Sequence, residues 1–176
     1  MSIRRTTQIG NPVLRRKAKA VPAAAVTSVP VRKIVRDLVD SMREYDLVGM
    51  AAPQIGVGVR IFVSEIRTTP SRRNADPDGL RVFINPAILR RSVKTAKGGE
   101  GCGSVAYAGL FAEVRRPEGV VVSAYDEKGK RFTMNAHGLL ARVIQHEYDH
   151  LEGRVFLDRL ADMKGLMSRE EYLKRQ

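Results

Sequence analysis

Apolar residues recur at helical spacing in two parts of the chain. Between residues 31 and 45 they fall at positions 34, 35, 38, 39 and 42, with charged residues on the other side. A second helical pattern covers residues 136–152 and stops at Gly153, a residue well suited to end a helix. Pro30 suits the first turn of the earlier segment. These patterns predict an amphipathic helix near the N-terminus and another late in the chain.

Between the two predicted helices, short apolar segments have the composition typical of β-strands. They are RIFVSEI (60–66), RVFIN (81–85), FAEV (111–114), VVVSAY (120–125) and RFTMN (131–135). The sequence DEKGK between the last two predicts a hairpin turn in which Gly129 takes a positive φ. The polar segment 67–80 is rich in turn residues, so it predicts an exposed loop.

The order of elements is helix, strands, helix, without the alternation that parallel sheets require. This order predicts an α+β fold with mostly antiparallel β-sheets. We expect the sheets to pack around a central helix formed by the second helical segment, with the first helix near the N-terminus and a solvated tail helix at the C-terminus. A chain of 176 residues can bury a substantial core. Residues 1–176 are therefore expected to form a single domain.

Composition limits the environment of the protein. No segment approaches the roughly 20 apolar residues that cross a bilayer, and the first residues lack the apolar run of a signal peptide. The chain has one cysteine, Cys102, which excludes an internal disulfide framework. These features predict a cytoplasmic protein without a membrane partner.

The chain carries a formal net charge of +12, and basic residues are concentrated in its first twenty positions and between residues 60 and 97. Such a field attracts polyanions, but it is equally typical of a surface that only keeps the protein in solution. No DNA- or RNA-binding motif is present, and the aromatic residues do not alternate with the basic runs as in a stacking surface. The charge therefore predicts no DNA partner and leaves both other interpretations open.

The segment IQHEYDH (144–150) contains two of the three histidines of the chain. His146 and His150 are four residues apart, so on a helix they share one face about 6 Å from each other. Two imidazoles at this spacing can chelate one divalent metal ion. Glu147 follows the first histidine and can accept a proton from a water at the open position of the metal. The motif predicts a catalytic metal site that needs a third protein ligand.

Three candidates for the third ligand follow from the sequence. The extended motif of one metalloprotease class places a ligand at position 156, but Phe156 cannot bind a metal. Another class uses a glutamate about twenty residues downstream, where Glu170 and Glu171 lie in the charged tail. The last candidate is Cys102 in GGEGCGSV, where the surrounding glycines free the backbone to bend closely around a ligand. A thiolate with two imidazoles suits Zn²⁺ or Fe²⁺.

Three motifs in this order resemble those of the peptide deformylase family. They are GMAAPQIG (49–56), EGCGS (100–104) and QHEYDH (145–150). The flanking sequences IGNPVLRRKA and HLEGRVFLDRL agree as well, so the resemblance covers residues 9–160. It implies a hydrolase that removes the formyl group from the N-terminal formyl-methionine of newly synthesised polypeptides.

The resemblance also implies roles for individual residues. Cys102, His146 and His150 would hold one divalent ion, natively Fe²⁺, with Zn²⁺ or Ni²⁺ able to occupy the site. Glu147 would take a proton from the attacking water and pass it to the departing amine. Further residues would bind the oxyanion or the substrate: Gln54 and the backbone N–H of Gly103 for the oxyanion, the backbone around Val48 and Gly49 for the extended peptide, and Leu139 and Val143 for the methionine side chain.

The sequence departs from the usual pattern of this family at several positions. Leu47 stands where a glycine is usual, and Met50 where a leucine is usual. Gly103 replaces the leucine that normally follows the cysteine, and Phe111 aligns with an arginine that faces the substrate in some members. The proposed ligands and base are all present, so we expect activity with an altered substrate cleft. Glu100, two residues before the motif cysteine, is expected to orient a neighbouring basic group.

Two other functions remain open at this stage. One is an HExxH metallopeptidase that cleaves amide bonds within peptides, with Glu170 or Glu171 as third ligand. The other is a basic protein that binds ribosomal RNA and keeps only a vestigial metal site. A deformylase must also meet nascent chains, so ribosome association through the basic surface, including the tail 159–176, is compatible with the first interpretation.

Overall fold

The computed structural model describes residues 3–69 and 76–175. The α-helices in these ranges are α1 (Val29–Glu44), α2 (Gly138–Leu151) and α3 (Arg169–Leu173), and short 3-10 helices connect other elements. The strands are β1 (Gly49–Ala51), β2 (Ile61–Ile66), β3 (Asp78–Arg91), β4 (Thr95–Gly101), β5 (Leu110–Pro117), β6 (Gly119–Tyr125), β7 (Arg131–His137) and β8 (Met167–Ser168). None of the helices in these ranges is long and apolar enough to cross a membrane.

The strands form two antiparallel sheets. One sheet has five strands in the order β1-β2-β3-β6-β7, and the other has three strands in the order β4-β5-β8. Helix α2 packs against the larger sheet through Ile144 and Leu151, which join Phe62 and Phe83 in one buried cluster. From another side of α2, Arg142 donates to backbone carbonyls of β4. The helix therefore contacts both sheets, and the predicted α+β class with antiparallel sheets is confirmed.

Helix α1 forms where the apolar spacing predicted it. Its buried residues include Val31, Leu38 and Met42, which pack with Ile61 and other residues of the larger sheet. The helix begins two residues earlier than the pattern suggested, because Pro30 occupies its first turn, where a missing backbone N–H is harmless. This packing fixes α1 on the face of the sheet opposite to the cluster that contacts α2.

The backbone at the end of α2 requires a glycine. Gly153 has a φ of +74°, and a Cβ built on it would lie 2.7 Å from the carbonyl oxygen of Arg15. Only glycine satisfies both constraints. At its other end, α2 is shorter than the predicted 136–152, because Ala136 and His137 pair with β6 as the last residues of β7.

All five predicted strand segments correspond to strands, except that Arg60 lies before β2, and their bounds were incomplete. Segment 81–85 is the middle of β3, which begins at Asp78, where this residue pairs with Ile66. The prediction of an exposed loop over 67–80 was therefore wrong for residues 78–80. Residues 70–75 of that predicted loop lie outside the described residues. The predicted tail helix is α3, which covers five residues and follows strand β8.

The sequence suggested a bend in the glycine-rich segment before Cys102. This segment instead forms the strand β4. A Cβ on Gly99 would collide with the ring of Tyr172, and a Cβ on Gly101 would collide with the ring of Phe111. These two rings stack on each other with their centroids 4.5 Å apart. The glycines therefore make room for aromatic side chains that cover one face of β4.

Three consecutive residues after the motif cysteine adopt the left-handed conformation. Ala106, Tyr107 and Ala108 have φ angles of +48°, +53° and +61°. Each non-glycine residue in this region costs roughly 1–2 kcal/mol. The turn is held from outside, because Arg5 donates to the Tyr107 hydroxyl at 3.1 Å and the Ala108 N–H donates to the Cys102 carbonyl at 3.0 Å.

This strain predicts that Ala108→Gly raises the free energy of unfolding by about 1 kcal/mol, because glycine adopts a positive φ without a Cβ clash. Urea denaturation of the two proteins measures the difference. The matched control is Ala24→Gly in the right-handed turn Ala23–Ala25, where glycine is expected to lower the stability by roughly 0.5–1 kcal/mol. Equal destabilisation by both substitutions would contradict the strain at position 108.

Candidate metal centre

Helix α2 carries the paired histidines on its buried side. His150 is fully buried and His146 is 9% exposed, and their ring centroids lie 5.1 Å apart. Glu147 lies on the same side of the helix and is 3% exposed. The four-residue spacing therefore produces the shared face that the sequence predicted.

Cys102 reaches the same point from the end of β4. Its Sγ lies 3.2 Å from Nε2 of His150, and one donor atom from each of Cys102, His146 and His150 falls within 4.8 Å of the others. The cysteine loop is held in place by the Val105 N–H, which donates to the Cys102 carbonyl at 2.9 Å. Within the described residues this is the cluster of ligand-type side chains that could hold a metal ion.

The other two candidates for a third ligand offer no donor atom to the cluster. Phe156 is buried and its ring lies parallel to the imidazole of His146, with centroids 6.3 Å apart. Glu170 and Glu171 are exposed on α3 and both pair with Lys174. Among the residues that the structure describes, the cysteine is thus the candidate that joins the histidine pair.

The chemistry of this cluster fits one divalent ion. A thiolate and two imidazoles form a soft donor set, which suits Fe²⁺ or Zn²⁺. Two buried polar atoms beside it, Oε2 of Glu147 and Nδ1 of His150, have no hydrogen-bond partner among the described residues. Buried polar atoms without partners are costly in a site that only serves packing. Three protein ligands also leave a coordination position open, as catalytic sites require.

The groups in the cluster perturb one another electrostatically. Burial raises the pKa of the Cys102 thiol, but the imidazoles of His150 and His146 outweigh burial and bring this pKa to about 5. Burial lowers the pKa of His146, yet Cys102 and Glu100 raise it well above its ordinary value. At Glu147 burial dominates and raises the pKa of the carboxyl to about 7, against the lowering effect of both imidazoles. The site thus concentrates buried ionisable groups that a cation would stabilise.

A buried ionic network supports His146 from behind. Glu100 accepts a hydrogen bond from Nδ1 of His146 at 2.9 Å and two more from Arg116 at 2.6 and 2.8 Å. Arg142 of α2 adds a bond of 2.7 Å to the same carboxylate. Because Nδ1 donates to Glu100, the imidazole presents Nε2 toward the cluster. Burial alone would raise the pKa of Glu100, but Arg116 and His146 hold it well below its usual range.

The network continues along the helix to Asp149. Arg116 donates to this carboxylate at 2.8 Å, and Arg159 binds it with two nitrogens. The side chains of Arg116 and Asp149 are each only 4% exposed. Sequence reasoning expected Glu100 to orient a basic group but missed the rest. One signal was available: Ala112, Val114 and Arg116 alternate on the inward face of β5, and an arginine at a core position requires a buried partner.

Gln54 approaches the Cys102 sulfur through its side chain, and Gly103 follows Cys102 in the chain. Gln54 is 1% exposed, accepts the Ala51 N–H at 2.7 Å and directs Nε2 toward Sγ at 3.5 Å. The carbonyl of Gly103 accepts a bond from Gln8 at 2.8 Å. The N–H of Gly103 donates to no group in residues 3–69 or 76–175. Both predicted donors therefore retain free N–H groups near the cluster.

The predicted substrate residues are divided between buried and exposed positions. A Cβ on Gly49 would lie 2.6 Å from Oε1 of Glu147 and 2.9 Å from Cγ1 of Val143, so strand β1 passes directly beside the predicted base. Val48 precedes β1 and accepts the Glu65 N–H through its carbonyl. Leu139, one turn before the 4% exposed Val143, is 42% exposed.

Two departures from the family pattern lie side by side. A Cβ on Gly103 would come within 3.0 Å of Cδ1 of Leu47. The leucine at position 47 therefore occupies space beside the glycine at position 103, where the usual pattern has these two residue types exchanged. Of the other two departures, Met50 is fully buried and Phe111 stacks on Tyr172.

Comparison with known proteins gives a consistent result. A family model described as polypeptide deformylase matches residues 3–165. Peptide deformylase 1A, chloroplastic/mitochondrial, of Arabidopsis thaliana is 42% identical over 163 residues, which cover 86% of this chain and 59% of that protein. Peptide deformylase of Thermomicrobium roseum is 42% identical over 166 residues, covering 94% and 90%. The chain thus spans about three fifths of the length of the plant relative and most of the bacterial one.

The fold is similar to solved structures as well. A class I type b peptide deformylase from Acinetobacter baumannii, with Met-Ala-Ser bound, superposes with a TM-score of 0.86 at 31% identity. The match covers 91% of this chain and all of that one.

The ionic network predicts that Glu100→Gln lowers metal affinity by roughly 10–100-fold, because the second partner of a metal-binding histidine fixes its orientation. Zn²⁺ titration against a competing chelator measures the affinity. The control is Glu113→Gln on β5, an exposed carboxylate with a distant ion pair to Lys97, which should leave the affinity unchanged. Unaltered affinity in a folded Glu100→Gln protein would contradict the role of this carboxylate.

The contact between Leu47 and Gly103 predicts an energetic coupling between the two positions. Gly103→Leu alone should lower stability by about 1–3 kcal/mol through overpacking. Adding Leu47→Gly should recover part of that loss, with a coupling energy of roughly 0.5–3 kcal/mol in a double-mutant cycle. Thermal or urea unfolding of the four proteins supplies the cycle, and strict additivity would exclude the proposed exchange.

Proposed function

Because this chain belongs to the polypeptide deformylase family, we propose that it hydrolyses the formyl group from the N-terminal formyl-methionine of new polypeptides and releases formate. The observation that carries this proposal is the convergence of Cys102, His146 and His150 within 4.8 Å, beside the buried carboxylate of Glu147. The Met-Ala-Ser peptide named for the Acinetobacter relative supports a methionine peptide as the product class.

The three clustered side chains would hold one divalent ion. We assign Fe²⁺ as the native ion, with Zn²⁺ or Ni²⁺ as alternatives, because a thiolate with two imidazoles suits each of them. A bound ion supplies a Lewis acid that polarises the formyl carbonyl and lowers the pKa of a water molecule. Glu100 keeps His146 oriented for this task through the hydrogen bond to Nδ1.

Glu147 acts as the proton carrier of the reaction. Its Oε2 is buried without a hydrogen-bond partner among the described residues, so it is available to accept a proton from the attacking water. The same carboxyl then delivers the proton to the nitrogen of the departing methionine. The other oxygen lies against β1, the strand beside which the substrate is proposed to bind.

Gln54 and Gly103 would stabilise the charge that develops on the formyl oxygen. The side-chain amide of Gln54 already points into the cluster, since its Oε1 is anchored by the Ala51 N–H. The free N–H of Gly103 offers a second donor near the motif cysteine. Donors that are fixed before the reaction stabilise the transition state by several kcal/mol, roughly 3 kcal/mol for one oxyanion donor in comparable sites.

The peptide would bind as an additional strand beside β1. This strand pairs only with β2 in the described sheet, so its other edge is free for a peptide backbone near Val48 and Gly49. Val143 borders this position, and the exposed Leu139 one turn away would complete an apolar wall for the methionine side chain. Met50 and Ala51 are fully buried in the sheet, which gives the strand a rigid base.

Several wider properties belong to the same proposal. We assign residues 1–176 to a single catalytic domain that works in the cytoplasm on nascent chains. The net charge of +12 supports transient association with the ribosome, through the basic surface that includes the tail 159–176. The metallopeptidase alternative has no support from Glu170 and Glu171, which are exposed and paired with Lys174. A ribosomal RNA-binding protein with a vestigial site would not need the intact ligand cluster with a base beside it.

The mechanism predicts that Glu147→Gln retains the metal and lowers the rate of formate release by roughly 10²–10⁴-fold, because it removes the proton carrier. Formate release from a formyl-Met peptide and metal analysis are measured on the same sample. Glu152→Gln is the matched control, since Glu152 follows α2 and pairs with Arg60 and Lys17, which do not belong to the metal cluster. Full activity in the Glu147 variant would eliminate the proposed mechanism.

A further inference from the structure

A second concave site lies on another face of α2. It is a cavity of about 140 Å³ lined by Arg91 of β3, Arg115 and Arg116 of β5, Gln145 and Tyr148 of α2, and Arg159. At 100° per residue, Gln145, Tyr148 and Asp149 point away from the side of α2 that carries His146 and Glu147. Because one water occupies about 30 Å³ of liquid, the cavity has room for a tetrahedral oxyanion in place of a few waters.

The charge of this cavity is strongly positive. Four arginines line it, and Asp149 is the one carboxylate among its lining residues. Arg115 donates only to the Thr95 hydroxyl, at 3.3 Å, and Arg91 has no ion-pair partner in the part of the chain that the structure describes. The positive charge of these two exposed arginines is therefore not balanced locally.

The other two arginines are fixed in advance. Arg116 uses one N–H of each guanidinium nitrogen for Glu100 and Asp149, which leaves one N–H on each terminal nitrogen unused. Arg159 binds Asp149 through Nε and Nη2, so its Nη1 retains both hydrogens. Donors held rigidly by other partners bind an anion without a large loss of side-chain entropy.

From these observations we propose that the cavity is a binding site for a phosphate group. The planar fork of arginine matches the oxygen atoms of phosphate, and several arginines with unused N–H groups surround one small space. The phosphate can belong to an RNA backbone or to a small phosphate-containing molecule, since both present the same oxygen atoms. This site goes beyond the proposed hydrolysis and does not depend on it.

The test uses the metal-loaded full chain and a charge-matched pair of variants. Arg91→Gln combined with Arg115→Gln removes the two unbalanced arginines of the cavity. Arg90→Gln combined with Arg36→Gln removes the same charge from exposed positions that do not line it. Inorganic phosphate is titrated calorimetrically into each protein, and a labelled short RNA is titrated separately by fluorescence anisotropy. Formate release is measured for all three proteins.

We expect phosphate to bind the unmodified protein and the control, and to bind the cavity variant at least about tenfold more weakly, because two charge-assisted contacts are lost. Formate release should be equal in all three proteins. Competition between RNA and phosphate would identify an RNA backbone as the source, whereas phosphate binding without RNA binding would identify a small molecule.

Three results would overturn the proposal. The first is an absence of phosphate binding to the unmodified protein. The second is equal weakening in the cavity variant and the control, which would reflect the overall charge of the protein and no defined site. The third is undiminished binding in the cavity variant, which would assign the phosphate to another location such as the metal centre.

Discussion

The carboxylate of Glu100 connects the smaller sheet to helix α2. It lies on β4, receives hydrogen bonds from Arg116 of the neighbouring strand and Arg142 of α2, and holds the imidazole of His146. A charge buried this deeply is tolerated only with complete pairing, and removing one partner from such a network typically costs about 3–5 kcal/mol. The same contacts that offset its desolvation therefore fix the distance between the smaller sheet and the helix. The orientation of His146, one of the proposed metal ligands, follows from this constraint.

The parts of the fold that the sequence predicted are those with a strong local signal. Helix α1 shows apolar residues such as Leu38 and Met42 at helical spacing over four turns, and tertiary packing only moved its start. The histidine pair carries its geometry in its spacing, because a helix places residues four apart on one face. The hairpin at Gly129, with a φ of +78°, is equally local. These features need no knowledge of distant parts of the chain.

The features that sequence reasoning missed depend on distant contacts. Glycines at 99 and 101 suggested a bend, but they serve a straight strand because Phe111 and Tyr172 need the space above it. No sequence feature near these glycines predicts the contact with Tyr172. Leu47 and Gly103 likewise read as two separate departures, although the structure brings them into contact. The Arg116 network was missed for the same reason, since its members come from β4, from α2 and from the segment that follows α2.

The burial of the single cysteine has a consequence for oxidative damage. Cys102 is 2% exposed, so bulky oxidants cannot reach its sulfur, while a molecule as small as peroxide can enter wherever water enters. The chain contains no second cysteine that could trap a sulfenic acid as an internal disulfide. Recovery of the sulfur then depends on external thiols, for which the same burial is an obstacle. The shielding that protects this sulfur from slow oxidation also makes any oxidation that does occur difficult to reverse.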